Sequence, residues 1–333
     1  MRLGFSMGYA SPGTNPLELI GLAKKAERLG YDSAWAAEAW GTDAVSVLSW
    51  LAATTTKIKV GSAVLQIPAR TAANTAMTAA TLDLMSGGRF LLGLGTSGPQ
   101  VVEGWHGQPW GNPLARTREY VQLVRNALRR ETVELHGSEL SVPYEGPGAT
   151  GLGKPLKLMM RPLRAEIPIY LAAIGPKNVE LAFEIADGWL PILFSPERAG
   201  ATFGFKSRGR FEIAPSVAVV LNDDLDSGRD AVRPMLALYV GGMGARSKNF
   251  YNDLVRRYGY EAEAMLIQRL YLEGKPREAI AAVPDRLVDD VALVGSRERI
   301  ADRLAAWRES GVTTLIVQSY DPAALETMAE LVL

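Results

Sequence analysis

"RFLLGLGTSGPQVVEGWHG", residues 89–107, admits two readings that lead to different folds. Gly93, Gly95 and Gly98 spell G-x-G-x-x-G directly after an apolar run with the character of a buried strand. In a nicotinamide-binding doubly wound sheet the third glycine opens a helix, and an acid about 20 positions on holds a ribose. Here Pro99 follows Gly98, and the next clear helical pattern begins near Leu114. The acid at the required distance, Glu119, lies inside the helical stretch "LARTREYVQLVRNALRR". The dinucleotide reading fails on context. Glycines at a strand end still expose backbone N–H groups that accept an anion or let a flat ring approach, or they make a tight turn and nothing more.

Outward from this stretch the chain alternates helix and strand. In "TNPLELIGLAKKAERLGYDSAWAAEAWG", Asn15 is an N-cap, Pro16 suits the first helical position and Glu18 sits at capping-box spacing. Leu19, Leu22, Ala23, Ala26 and Leu29 recur at helical spacing, Gly30 stops the helix, and "SAWAA" reads as a buried parallel strand. "NVELAFEIADGWLPIL" and "IADRLAAWRESGVTTLIVQS" repeat the phrase. Parallel strands are expected near 3–7, 33–38, 59–66, 89–96, 167–173, 188–193, 214–221 and 313–319. Eight such units predict an α/β (β/α)8 TIM barrel. Two connections, about 131–165 and 223–295, are too long for simple crossovers and are expected as insertions at the C-terminal face. No linker divides the chain, so residues 1–333 are expected to form a single domain.

Composition narrows the function. Lys plus Arg and Asp plus Glu each number 36, so the formal net charge is zero, without the basic excess of a nucleic-acid binder. There is no cysteine for disulfides, thiolate metal sites or a thiol nucleophile. Neither a secretory signal nor an apolar run of the ~18 residues needed to span a bilayer is visible. A cytoplasmic location is expected. The two histidines, His106 and His136, have no partners at metal-ligand spacing, so no metal is expected.

The stretch "GSAVLQIPARTAANTAMTAATLDLMSGGRFLLGLGTSGPQVVEGWHG" resembles the bacterial-luciferase-like superfamily of flavin and deazaflavin barrel enzymes, and within it the coenzyme F420-dependent oxidoreductase branch. "IPIYLAAIGPKNVELAFEIADGW" and the closing "DDVALVGSRERIADRLAAWRESGVTTLIV" carry the resemblance to the end of the chain. It implies hydride transfer between C5 of the deazaflavin and a small or medium organic substrate. It also implies a homodimer, for which the alanine-rich helical surfaces are suited.

The resemblance further implies site residues at strand ends. Glu38, after strand 2, is the acid expected beside the deazaflavin, as an orienting or proton-exchanging group. Relatives among the sugar-phosphate dehydrogenases place a histidine next, where this chain has Ala39, and an acid after strand 1, where "SMGYASPGTNP" has none. Ser62, Ala63 and Val64 are expected behind the ring, with a cis peptide between Ala63 and Val64. The phosphate and tail are assigned to Gly95-Thr96-Ser97-Gly98 or to Ala173-Ile174-Gly175-Pro176, the second being preferred because it opens a helix. His106 is the candidate general acid, imidazole being the side chain whose charge changes near neutral pH. His136 is expected at a hairpin turn on the surface. Tyr9, Trp40, Trp105 and Trp110 are weaker candidates for an apolar pocket, and Arg116 and Arg118 for a solvated helix face. Two alternatives stay open: an FMN-dependent monooxygenase on the same barrel, and a deazaflavin-binding protein without catalysis.

Overall fold

The computed structural model describes residues 1–8, 15–204 and 209–333. The first half of the chain contributes β1 (Arg2–Gly8), β2 (Ser33–Ala36), β3 (Lys59–Ser62), β4 (Leu65–Gln66), β5 (Phe90–Gly95), β6 (Leu135–His136) and β7 (Ser141–Val142). The second half contributes β8 (Ile169–Leu171), β9 (Gly188–Trp189), β10 (Glu212–Ile213), β11 (Ser216–Leu221), β12 (Leu293–Gly295) and β13 (Thr314–Gln318). One curled parallel sheet runs in the order β10-β9-β8-β5-β3-β2-β1-β13-β11-β12, with β4 also on β5.

The two ends of that order approach each other along the chain, since only Ala214 and Pro215 separate β10 from β11. The Ala214 N–H donates to the Trp189 carbonyl at 2.9 Å, and the Ser216 N–H to Pro191 at 3.1 Å. From the other side the Ile316 N–H donates to Pro215 at 2.9 Å.

The expected strands all appear, at somewhat different limits. The short β12 lies inside the stretch expected as an insertion; it pairs with the far end of β11 at Val219–Leu221. The rest of that stretch folds mainly as helices. They pack Val232, Leu236, Leu254, Tyr258, Ile267 and Leu287 into a second apolar core. The hairpin β6–β7 is antiparallel, and His136 stands in its first strand rather than in the turn.

Several helices begin where the sequence provides caps. The Asn15 side chain accepts from the Leu17 N–H at 3.0 Å at the start of helix Pro16–Arg28. Asp43, Thr71, Asp224, Ser296 and Asp321 cap later helices in the same way. Each satisfies an N–H that helix geometry leaves without a partner, worth about 1 kcal/mol. Leu19, Ala23 and Ala26 then turn one face of the first helix into the main core, as the spacing predicts; Ile20 joins them, and Leu22 and Leu29 pack against that core partly buried.

Strand residues divide between the two faces. Leu3 and Phe5 of β1 join the core between sheet and helices. Trp35, Leu91, Tyr170, Leu190, Ala214 and Ile316 form a separate buried cluster. Trp35 and Tyr170 meet edge to face at 5.3 Å. Gly4 and Gly61 make room for the indole: a Cβ on Gly61 would stand 2.3 Å from Trp35.

Candidate active site

The C-terminal ends of β2, β3–β4, β5 and β8 are neighbours, and the residues singled out by sequence gather there. Glu38 ends the β2 segment with its carboxylate in a two-point contact with Arg70: Nη1 to Oε2 is 2.5 Å and Nη2 to Oε1 is 2.7 Å. Arg70 Nη2 also donates to Asp43 at 3.0 Å. The Glu38 and Arg70 side chains are 10% and 15% exposed, so the pair is shielded from most water. The bond to Glu38, opposed by burial and helped by the charges of Glu38 and Asp43, raises the Arg70 guanidinium above its ordinary range. Both Glu38 oxygens are therefore occupied by a permanent cation. That arrangement suits orientation, and each oxygen keeps a further lone pair for another donor.

Gln66, on β4 and 2% exposed, ties this pair to the next strand. Its Nε2 donates to the Ala39 carbonyl at 2.9 Å, and its N–H faces Glu38 Oε2 at 3.5 Å. Its Oε1 accepts from the Ser97 hydroxyl and stands 3.3 Å from His106 Nε2. Sequence reasoning named neither Gln66 nor Arg70, although both lie in the quoted "LQIPAR". The available signal was two polar side chains at the end of an otherwise apolar strand.

Between Glu38 and Gln66 lies the Ala63–Val64 bond, which is cis. Ala63 and Val64 are partly open and join Ala172 at the edge of the Trp35 cluster. Ser62 is placed differently. It is fully buried, its hydroxyl donates to the Gly93 carbonyl and accepts from the Gly93 N–H, both at 2.9 Å. Ser62 thus joins β3 to β5, and its side chain is not presented to a ligand. Gly95 is also buried and packs under Val64, whose Cγ2 would lie 2.6 Å from a Cβ there.

The neighbouring strands β5 and β8 end alike. Each leads to a glycine followed by proline, and each glycine is the N-cap of a helix with no side-chain cap: Gly98 for Pro99–Gly104, Gly175 for Pro176–Ile185. The first of these helices was not expected from sequence; Pro99 opens it because proline suits a first helical position. It spans 6 residues, and Glu119 lies in helix Pro113–Leu128, where its carboxylate takes the N–H groups of Ser138, Glu139 and Leu140. The dinucleotide context therefore still fails. Thr96, Ser97 and Gly98 are partly exposed, and Ser97 has a left-handed φ of 57°. Ala173 is buried with its carbonyl accepting from Trp189 Nε1 at 2.8 Å, whereas Ile174 and Gly175 are partly exposed and Pro176 is exposed. An uncapped helix start of 10 residues directs N–H dipoles outward, the arrangement that receives a phosphate oxygen.

Residues 2–314 match the family described as luciferase-like monooxygenase. The chain belongs to that family. It is 45% identical, over 100% of its own length and 99% of the other's, to a Mycobacterium tuberculosis protein named "Putative coenzyme F420-dependent oxidoreductase Rv3520c". It is 28% identical to a 5,10-methylenetetrahydromethanopterin reductase of Archaeoglobus fulgidus, covering 92% of this chain and 91% of that one. The solved structure of the coenzyme F420-dependent tetrahydromethanopterin reductase of Methanopyrus kandleri shares its fold, with a TM-score of 0.79 at 22% identity over 99% and 98% of the two chains.

Within this luciferase-like frame several candidates stand apart from the strand ends' network. Trp105 and Trp40 are 66% and 53% exposed, while Trp110 is half-buried beside Ile67, Pro68 and Thr96, with Lys248 Nζ 5.2 Å over its ring. Tyr9 lies outside the described residues. Arg116 is not on a solvated face: it is 16% exposed, bonded to Glu139 at 2.8 Å and to the Pro109 carbonyl at 3.0 Å. Arg118 is on the surface with Glu184. His136 is exposed near Glu134 and Glu145.

A cavity of about 800 Å³ opens at the opposite end of the sheet, among Arg2, Lys59, Arg89, Tyr170, Arg164 and Glu212. Its charges are largely matched within the protein: Arg2 with Glu212 at 2.7 Å, Lys59 with Asp32 at 3.0 Å, Arg164 with Asp83 at 2.5 Å. In a parallel α/β sheet, residues at this end serve stability and those at the other end serve chemistry. Among the described residues, no group of three or more His, Asp or Glu side chains is arranged to hold a metal, and no helix is long and apolar enough to cross a membrane.

Proposed function

We propose that this chain is a coenzyme F420-dependent oxidoreductase acting on a small or medium organic substrate. One observation carries the reading: adjacent strands β5 and β8 both end in uncapped glycine–proline helix starts, beside the partly open apolar edge at Ala63, Val64 and Ala172. A flat ring fits such an edge and an anionic tail fits such a helix start. The full-length relative at 45% identity supports the choice of cofactor. When bound, the deazaflavin supplies or accepts a hydride at C5. The chain's own residues bind and orient: the helix start at Gly175 receives the phosphodiester, Ala63 and Val64 back the ring, and Glu38, held by Arg70, fixes the rim. His106 holds the proton that a reduced substrate requires.

We further read the sheet as closing through Ala214 and Pro215 into a (β/α)8 barrel, a single domain over 1–333. The stretches 131–165 and 223–295 then lie as insertions around its C-terminal mouth; the Lys248–Trp110 contact between the second stretch and the loop after β5 supports this. A cytoplasmic homodimer is the expected form. Helices Ala44–Thr54 and Ala72–Met85 are in contact and carry one charged residue between them, the buried Asp83. They nevertheless expose Trp50, Met77, Leu84 and Met85 by about half. An uncharged apolar face of this kind is normally covered. Size-exclusion with light scattering is expected to give twice the 36.0 kDa chain mass, falling to one chain on Trp50→Glu with Met77→Lys.

The cofactor assignment is tested by fluorescence titration of the purified protein with F420 and with FMN in parallel. Micromolar or tighter binding of F420 with weaker FMN supports it; preference for FMN, or binding of neither, overturns it.

A further inference from the structure

Gln66 makes contacts that decide where a proton sits. Its amide end is fixed by Ala39, because a backbone carbonyl only accepts and so must face Nε2, 2.9 Å away. The other end is then an oxygen, which also only accepts. It takes the Ser97 hydroxyl and faces His106 Nε2 at 3.3 Å, so that ring nitrogen must carry the hydrogen. Neutral imidazole has one N–H. His106 Nδ1 is therefore left with a lone pair, and it has no partner among the described residues.

We propose that Gln66 is a positioning residue that locks His106 as the Nε2–H tautomer and so makes Nδ1 the proton-exchanging atom. The inference rests on the preceding reading of the site and adds to it the residue that selects the active nitrogen. In the reducing direction a carbonyl or imine carbon gains the hydride with its electron pair from the reduced cofactor. The substrate's oxygen or nitrogen then takes one proton from Nδ1 of the imidazolium. The N–H electron pair stays on Nδ1, and the neutral ring keeps its Nε2–H on Gln66. In the oxidising direction the Nδ1 lone pair takes the hydroxyl or amine proton as hydride leaves. Ala39, where the sugar-phosphate dehydrogenase relatives place a histidine, contributes the carbonyl that holds Gln66.

The chain has two histidines, so the test is direct. In 15N-histidine-labelled protein without cofactor, at alkaline pH where imidazole is neutral, His106 is expected to show the limiting shifts of an Nε2–H ring and an exchange-protected Nε2 proton. His136, which is exposed, provides the solvent-averaged reference in the same spectrum. Gln66→Leu is expected to abolish the protected proton and move His106 to averaged shifts, with an unchanged melting transition as the fold control. Averaged His106 shifts in the native protein, or native shifts retained in Gln66→Leu, overturn the proposal. The measurement needs no cofactor, so its failure is separate from a failure to bind F420.

Discussion

Arg70 grips Glu38 through two parallel hydrogen bonds of 2.5 and 2.7 Å, 32 residues apart in sequence and at the mouth of the sheet. Removing one member of a shielded pair strands the other charge, which costs more than the pair itself contributes. Arg70→Ala is expected to destabilise the fold by about 1–3 kcal/mol and to weaken F420 binding; Arg70→Lys, which keeps charge and loses the fork, is expected to recover less than half of the stability. Denaturant unfolding with parallel cofactor titration checks both. Native-like stability in Arg70→Ala would show that the ion pair holds nothing in place.

The close approach of β3 and β5 gives a second expectation. A Cβ on Gly93 would stand 1.9 Å from the Ser62 carbonyl oxygen and 2.8 Å from Leu190. Backbone cannot yield as a flexible side chain does, so Gly93→Ala is expected to cost more than about 3 kcal/mol or to prevent folding. At Gly98 the nearest atom to a Cβ is 3.5 Å away and φ is −115°, so Gly98→Ala is expected to fold normally. Soluble yield and thermal midpoint distinguish them. Equal behaviour of the two variants would contradict the packing described.

These two positions show what was legible in sequence. Both glycines were conspicuous in "LLGLGTSG", yet spacing could not separate one that admits a neighbouring strand from one that opens a helix. The parallel strands were legible because apolar runs ended by turn residues have few other folds available. β12 was not, since Leu293–Gly295 is three residues at the end of a mainly helical stretch. Helix Pro99–Gly104 was not legible either, because six residues opened by a proline carry too little periodicity to show. The cis bond at Ala63–Val64 came from family resemblance; periodicity carries no trace of it. Glu38 was visible as an acid at a strand end, but its partners Gln66 and Arg70 are brought to it only by the pairing of β4 with β5 and the turn beyond. Networks assembled from separate strand ends leave no local pattern.

Acid sensitivity follows from two glutamates that cap turns. The Glu27 carboxylate accepts from the N–H groups of Thr56, Lys57 and Ile58 at 2.6–3.0 Å, and Glu119 does the same for Ser138, Glu139 and Leu140. Burial alone would push each carboxyl up, but these N–H groups outweigh it and hold both below the usual range. A depressed folded value means that the unfolded chain binds the proton more readily. The stabilisation is thus complete above the unfolded value near ~4.3 and is lost as pH falls through the folded one. Glu27→Gln and Glu119→Gln are each expected to lower stability at neutral pH by about 0.5–1 kcal/mol, water screening included, and to flatten the acid limb of the stability curve. Urea midpoints at neutral and acid pH read both effects. An unchanged acid limb in the double variant would assign the sensitivity to other groups.

The helix start at Gly175 offers the sharpest separation of fold from function. Gly175 has φ −78°, nothing lies within 4 Å of a Cβ there, and no side chain caps the helix. Asp43, Thr71, Asp224, Ser296 and Asp321 do this elsewhere in the chain, while helices Glu261–Leu272 and Asp285–Val291 also start without a side-chain cap. Gly175→Asp places a carboxylate on the first-turn N–H groups. For the free protein that is neutral or stabilising by a few tenths of a kcal/mol. For a bound phosphodiester the same carboxylate competes for the N–H groups and repels the anion, so F420 affinity is expected to fall at least tenfold while the melting midpoint holds or rises. Gly175→Ala adds bulk without charge and is expected to bind nearly as the native chain does. If Gly175→Asp bound F420 normally, the anion would have to seat elsewhere, and the Ser97–Gly98 turn after β5 would be the next place to substitute.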